Sequence, residues 1–150
     1  MINIRLGLFE TNSSSTHSIF IAPSSEGVYE TLSVYDGIVY LTGGEFGWEY
    51  EKYNDAETKA NYAAVFCFDD EEMKEMLIDV IKKHTGAKEV KFDFSLEYEH
   101  DKNKNYSYID HQSALYEGGD CRRAFAGPNT LKEWIFNPNS YLQTDNDNRY

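Results

Sequence analysis

The chain has 150 residues with 26 acidic against 14 basic side chains, a net charge of −12. This length suits one domain with a real core, and 41% hydrophobic residues, including 15% aromatic, exclude a disordered chain, which lacks the apolar groups to offset the entropy of ordering. The acidic balance argues against a conventional nucleic-acid binder, which needs clustered Lys and Arg to displace counterions from phosphates.

Ile2 to Phe9 carries the β-branched and aromatic residues of a strand, and His17 to Ala22 reads as the next. Between them the polar run Asn12, Ser13, Ser14, Ser15, Thr16 and His17 is expected to be an exposed connection, its side chains bonding their own backbone. Its amides and hydroxyls suit an anion or small ligand. It contains no Gly and no Gly-Lys-Ser/Thr ending, so it is not a glycine-rich phosphate loop. Strands are predicted over Thr31 to Tyr35 and Ile38 to Leu41, joined by Asp36-Gly37, a two-residue hairpin signal. Gly43, Gly44 and Gly47 mark a flexible passage into the aromatic and acidic segment Phe46 to Tyr53.

Ala56 to Phe66 forms a helix through Ala60, Ala63 and Ala64, though its apolar face is indistinct. From Glu71 to His84, Met73, Met76, Leu77, Val80 and Ile81 recur at helical spacing. Asp69 or Asp70 caps that helix, Lys82 and Lys83 complement its dipole, and Gly86 stops it. Val90 to Leu96 alternates as a strand, Glu97 to Asn105 is a charged connection, and Tyr106, Tyr108 and Ile109 begin another strand. Gly127-Pro128-Asn129-Thr130 is a turn and cap before a short helix over Leu131 to Phe136, which Asn137-Pro138 closes. Residues from about Asp145 to Tyr150 form a polar tail. Strands and helices segregate, which gives a single α+β domain over residues 1–150, a mainly antiparallel sheet packed by two or three helices. No apolar run approaches the roughly 20 residues of a membrane span, and no signal peptide opens the chain, so a soluble, cytoplasmic protein is expected.

The residues that carry chemistry are scattered. Cys67 and Cys121 are too isolated for a disulfide framework or a paired zinc motif and read as buried thiols. Arg122 and Arg123 beside Cys121 favour a thiolate, but no base accompanies them. His17, His84, His100 and His111 lack the i, i+4 spacing around a Glu that marks a helical zinc site. Arg5, Ser14-Ser15-Thr16 and Glu97-Tyr98-Glu99 resemble ADP-ribosyl transfer elements only loosely, with the wrong spacing. No catalytic residue, metal or cofactor is indicated, and an enzyme is the less favoured class.

The segment from Met1 to Pro23, MINIRLGLFETNSSSTHSIFIAP, and the segment Leu131 to Tyr141, LKEWIFNPNSY, with the polar Asp145 to Asn148 after it, are the two most distinctive pieces. In them the chain resembles small proteins of unassigned activity encoded by phages and prophages of low-GC Gram-positive bacteria. The resemblance implies a mobile-element origin and action on a bacterial host.

With the charge, this points to a binding protein whose partner is a basic host or defence protein. Such a protein mimics nucleic acid, as an anti-CRISPR inhibitor does, with no direct nucleic-acid contact of its own. The expected binding face comprises Glu49, Tyr50, Glu51 and Tyr53, then Asp69, Asp70, Glu71 and Glu72, then Glu97, Tyr98 and Glu99, in which Tyr anchors sit beside carboxylates. The rival readings are a small-ligand protein or enzyme centred on Asn12 to His17, and a virion structural or assembly protein.

Overall fold

In the computed structural model, which describes residues 15–24, 27–46, 50–96, 105–109 and 119–146, the packing centres on helix α1 (Ala56–Phe66). Ala56, Lys59, Ala60, Asn61, Tyr62, Ala63, Ala64 and Val65 are all buried, so α1 has no solvent stripe and therefore no amphipathic signature. Asp55 caps it by accepting from the Thr58 amide at 2.8 Å and the Thr58 hydroxyl at 2.6 Å. Helix α2 (Glu71–Thr85) is the amphipathic one: it buries Leu77, Val80 and Ile81, is capped by Asp70 accepting from the Met73 amide at 3.0 Å, and ends at Gly86 with φ of 80°. Two further helices among the described residues are α3 (Gly119–Ala124) and α4 (Pro128–Phe136). The turn expected over Gly127 to Thr130 is the start of α4, because Pro128 with its fixed φ suits the first helical position.

The described strands are β1 (Ser15–Phe20), β2 (Ile38–Leu41), β3 (Glu45–Phe46), β4 (Glu51–Tyr53), β5 (Glu89–Phe92), β6 (Phe94–Ser95), β7 (Asn105–Tyr106), β8 (Tyr108–Ile109) and β9 (Tyr141–Asn146). With the helices they make an α+β fold, whose three-stranded sheet is antiparallel with β9 at its centre between β1 and β4. Leu142 faces Ile19 on one side and Tyr53 on the other and is fully buried. Asp145 and Asn146, expected in a frayed tail, are paired with Thr16 and Ser15 in this sheet. The expected strand over Ile2 to Phe9 lies outside the described residues.

The remaining ladders are parallel and form a fork. β2 pairs with β5; beyond that point the two segments part, and the stretch 105–109 enters between them, β7 pairing with β6 and β8 with β3. The Ser107 amide donates to the Ser95 carbonyl at 2.8 Å, and the Tyr108 amide donates to the Gly44 carbonyl at 3.0 Å, so the inserted stretch is bonded to both tines. Gly43 and Gly44 sit at the split with φ of 73° and 154°. The Gly43 amide donates to Asn61 Oδ1 of α1, and the Gly44 amide to the buried Ser107 Oγ, each at 2.9 Å. Gly43 and Gly44 are thus a fixed junction, not a flexible passage, and Gly47 lies outside the described residues.

Thr31 to Tyr35 is not a strand. Asp36 and Gly37 do make the expected turn, with φ of 54° and 79°, but it is followed on the near side only by a single bridge from Tyr35 to Ile38. Ile38 to Leu41 has β5 for its ladder instead. The preceding chain is drawn elsewhere, the Glu30 amide donating to the Phe136 carbonyl at 2.8 Å.

That second attachment belongs to a buried polar knot below α4. Glu133 accepts from the Tyr29 hydroxyl at 2.7 and 2.8 Å and from the Ser24 hydroxyl at 3.2 Å. Asn137 Nδ2 donates to the Pro23 carbonyl at 3.0 Å, and Ser140 Oγ donates to the Glu133 carbonyl at 2.8 Å while accepting the Ala22 amide at 2.9 Å. From α1, the fully buried Lys59 Nζ donates to the carbonyls of Asn137 at 3.0 Å and Ser140 at 2.9 Å. Trp134 and Tyr62, both buried, pack edge to face beside it with ring centroids 6.4 Å apart. No helix of the described residues is long and apolar enough to cross a membrane.

A Cβ on Gly43 overlaps Ser107 Oγ and lies 2.9 Å from Phe94 Cγ, whereas one on Gly86 meets open space, although both glycines have left-handed φ. Gly86→Ala is therefore expected to lose about 1 kcal/mol from backbone handedness alone, and Gly43→Ala about 2 kcal/mol or more from handedness plus overlap. Urea denaturation of the two variants measures the difference; equal losses show that the fork relaxes around the added methyl.

Candidate functional site

The turn from α1 to α2 brings a dense block of charge to the surface. Asp69, Asp70, Glu71 and Glu72 are all exposed, and among the described residues none of these carboxylates takes part in an ion pair. The helix dipole accounts for carboxylates at this end of α2, and Asp70 is its cap. Capping does not account for the cleft that opens beside them. It has a volume of about 370 Å³ and lies between Val65, Phe66, Asp69, Asp70 and Met73 on the helical side and Leu96, Ser107, Tyr108 and Ile109 from the fork, with Arg122 of α3 at its edge.

The walls are therefore apolar and aromatic, and the rim carries two carboxylates and one guanidinium. Arg122 lies over the Phe66 ring, 6.0 Å from its centroid. Lys74, one turn into α2, lies over Phe68 and Phe92 at 4.5 and 4.8 Å, which holds its ammonium on aromatic faces. Such a cleft can seat a side chain that has an apolar stem and a cationic head, the stem against Phe66 and Met73 and the head at Asp69 and Asp70.

The other expected acidic residues are placed apart from this cleft. Glu51 is exposed on β4, an outer strand of the antiparallel sheet, with Tyr50 exposed before it and Tyr53 half-buried against the core. Glu49, Glu97, Tyr98 and Glu99 lie outside the described residues. Of the polar run expected as a ligand loop, Asn12, Ser13 and Ser14 also lie outside them. Ser15, Thr16 and His17 belong to β1, because they continue its register with β9. His17 is buried, with Nδ1 2.7 Å from the Tyr62 hydroxyl and its ring edge-on to the Tyr62 ring. It is a packed residue of the sheet rather than a group offered by an exposed loop.

Among the described residues no three or more His, Cys, Asp or Glu side chains gather as a metal site requires. Both cysteines are buried thiols outside any disulfide, and burial pushes the Cys67 thiol up to about 12, far from a reactive thiolate. Cys121 sits in α3. Comparison with family models, curated proteins and solved structures finds no match to this chain.

Sequence reasoning identified the acidic block but not the cleft beside it. Leu96, Ser107, Tyr108 and Ile109 come to α1 and α2 only through the parallel fork, for which the local sequence carries no signal. It also passed over Lys59, a basic residue in an alanine-rich helix, whose only cue was a charge with no clear exposed face to occupy.

Burial lowers Lys59 from 10.5 to about 8, against the opposing charges of Glu30 and Asp55. Its ordinary value in the unfolded chain means that between pH 8 and 10.5 the unfolded state holds more protons, so this group's contribution to stability rises with pH across that window. Lys59→Met leaves two buried carbonyls without a donor and is expected to lose roughly 1–3 kcal/mol at pH 7. The gap between wild type and variant should widen at pH 9.5, as chemical denaturation at the two pH values will show; a narrowing gap would mean that the amine is not desolvated in the fold.

Proposed function

We propose that this chain acts by binding: it presents carboxylates to a basic nucleic-acid-binding protein of a bacterial host or its defence system and inhibits it, as an acidic mimic of the anti-CRISPR type does. The observation that carries this reading is the cleft at the α1–α2 turn, where an exposed run of acids borders an apolar, aromatic-walled depression. Carboxylates alone attract any cation and keep a protein soluble. A depression with Phe66 and Met73 in its walls adds the water-excluding contact that gives a charged encounter specificity and residence time. The net charge of −12 steers a basic partner toward the molecule and repels nucleic acid from it. The phage origin within this proposal is supported by the sequence resemblance of the first and last segments.

The Asp69→Lys, Glu71→Lys, Glu72→Lys triple variant retains the Asp70 cap and should keep the fold, with a loss of about 0.3–1 kcal/mol per reversed charge at the start of α2. Tagged wild type should capture a nucleic-acid-binding protein from host lysate at low salt and release it at high salt. The variant should bind that purified partner at least about tenfold more weakly at ~0.1 M salt. Unchanged affinity in the folded variant sinks this choice of face, and a lysate without a salt-released partner sinks the mimicry itself.

A further inference from the structure

The opposite end of α2 has the opposite chemistry. There a groove of about 400 Å³ lies between the last turn of α2 and the first turn of α4, lined by Val80, Lys83, His84, Pro128, Asn129 and Lys132. This volume is within the range of small-molecule sites. In a chain with 26 acids and 14 bases, cations are expected to be neutralised by neighbouring carboxylates. Lys83 and Lys132, like the other described lysines, have no carboxylate partner among the described residues, and here two of them border one depression. The Glu133 carboxylate next to Lys132 is already taken by Tyr29, Ser24 and Asn137.

The dipole of α2 accounts for Lys83 and His84 near its C-terminus, but it does not account for Lys132, which arrives from a different helix. Lys132 is also restrained, its ammonium 5.1 Å from the centroid of the Tyr29 ring. His84 is held more firmly, stacked on Phe136 with centroids 3.8 Å apart and with Nε2 2.8 Å from the Glu30 carbonyl. The carbonyl can only accept, so Nε2 carries the proton and the ring's orientation is set. Three basic side chains from two helices therefore border one depression, two of them anchored by aromatic contacts. The first turn of α4, whose Gly127 N-cap supplies no side-chain bond, adds partial positive charge on the same side. Val80 and Pro128 give the groove an apolar floor and wall.

We propose that this groove binds a small phosphate monoester, its anionic group between Lys83 and Lys132 beside His84 and its organic part on Val80 and Pro128. A phosphate group suits two ammonium groups better than chloride does, because several of its oxygens accept hydrogen bonds at once. The strongly negative remainder of the molecule repels anions in general, so what holds an anion here is the groove's own chemistry. The site is separate from the acidic cleft, and its occupancy does not depend on the function proposed for that cleft.

The test is a nuclear magnetic resonance titration of the full chain with phenyl phosphate, inorganic phosphate and phenol at constant ionic strength. Phenyl phosphate should give saturable shifts confined to the amides of residues 80–84 and 129–132, at lower concentration than inorganic phosphate, and phenol should give none. The Lys83→Gln, Lys132→Gln double variant changes two side-chain heads and leaves the buried faces of α2 and α4 intact. It should bind phenyl phosphate at least about tenfold more weakly, and each single variant should show an intermediate loss should the double variant unfold. Shifts that do not saturate, that are unchanged by the Lys substitutions, or that phenol reproduces overturn the proposal.

Discussion

The buried ammonium of Lys59 is the interaction on which the rest of the arrangement depends. Reaching from α1 to the carbonyls of Asn137 and Ser140, it ties the most enclosed helix to the turn that follows α4. The same turn receives the chain leaving β1, through the Ala22 amide and the Pro23 carbonyl, and the 27–30 segment reaches it through Tyr29 and Glu133. Each of these attachments uses a polar group that would be costly to bury unpaired, so the knot holds only when all are made together. Trp134, Ile135 and Phe136 are buried on the adjoining turn of α4, which gives this polar centre an apolar surround that excludes water.

The parallel fork performs the corresponding role on the other side of α1. Its junction is bonded to α1 by Asn61 and to the inserted stretch by Ser107, and the inserted stretch then supplies one wall of the acidic cleft. The other wall comes from the end of α1 and the start of α2. The acids that cap α2 are consequently brought beside Tyr108 and Ile109 by the same geometry that closes the core. Stability and surface chemistry are coupled at that point: a change at Gly43 or Ser107 reshapes the cleft without touching a carboxylate.

What the sequence made legible follows from how local each signal is. α2 was readable to within a residue because its apolar stripe, its Asp70 cap and its Gly86 stop all lie within its own span. α1 was readable as a helix through its alanines but not as a centre, since a helix buried on all sides has no stripe to read. The fork was not readable: Val90, Phe92 and Phe94 alternate as a strand does, but nothing in them says whether the partner is antiparallel and near or parallel and distant. The acidic block of the candidate site was plain in the sequence, whereas its cleft is closed by Leu96, Ser107, Tyr108 and Ile109 from distant parts of the chain and was not. The basic groove escaped for the same reason, because Lys83 and Lys132 meet only once α4 lies on α2.

The place of β9 in the antiparallel sheet has a consequence for biosynthesis. Within the described residues, β1 and β4 pair with β9 and not with each other, so their inner edges have no ladder until residues 141–146 have left the ribosome. The knot obeys the same schedule, since Asn137 and Ser140 must be present before Lys59 has anything to donate to. A nascent chain carrying everything up to α3 has its lysine already inside an alanine-rich helix and its strand edges open, which is the condition in which chains pair wrongly with one another. The antiparallel sheet and the knot, whose long-range closure is the slow part of folding, are thus withheld until residues 137–146 have been made, whereas the fork is complete by residue 109.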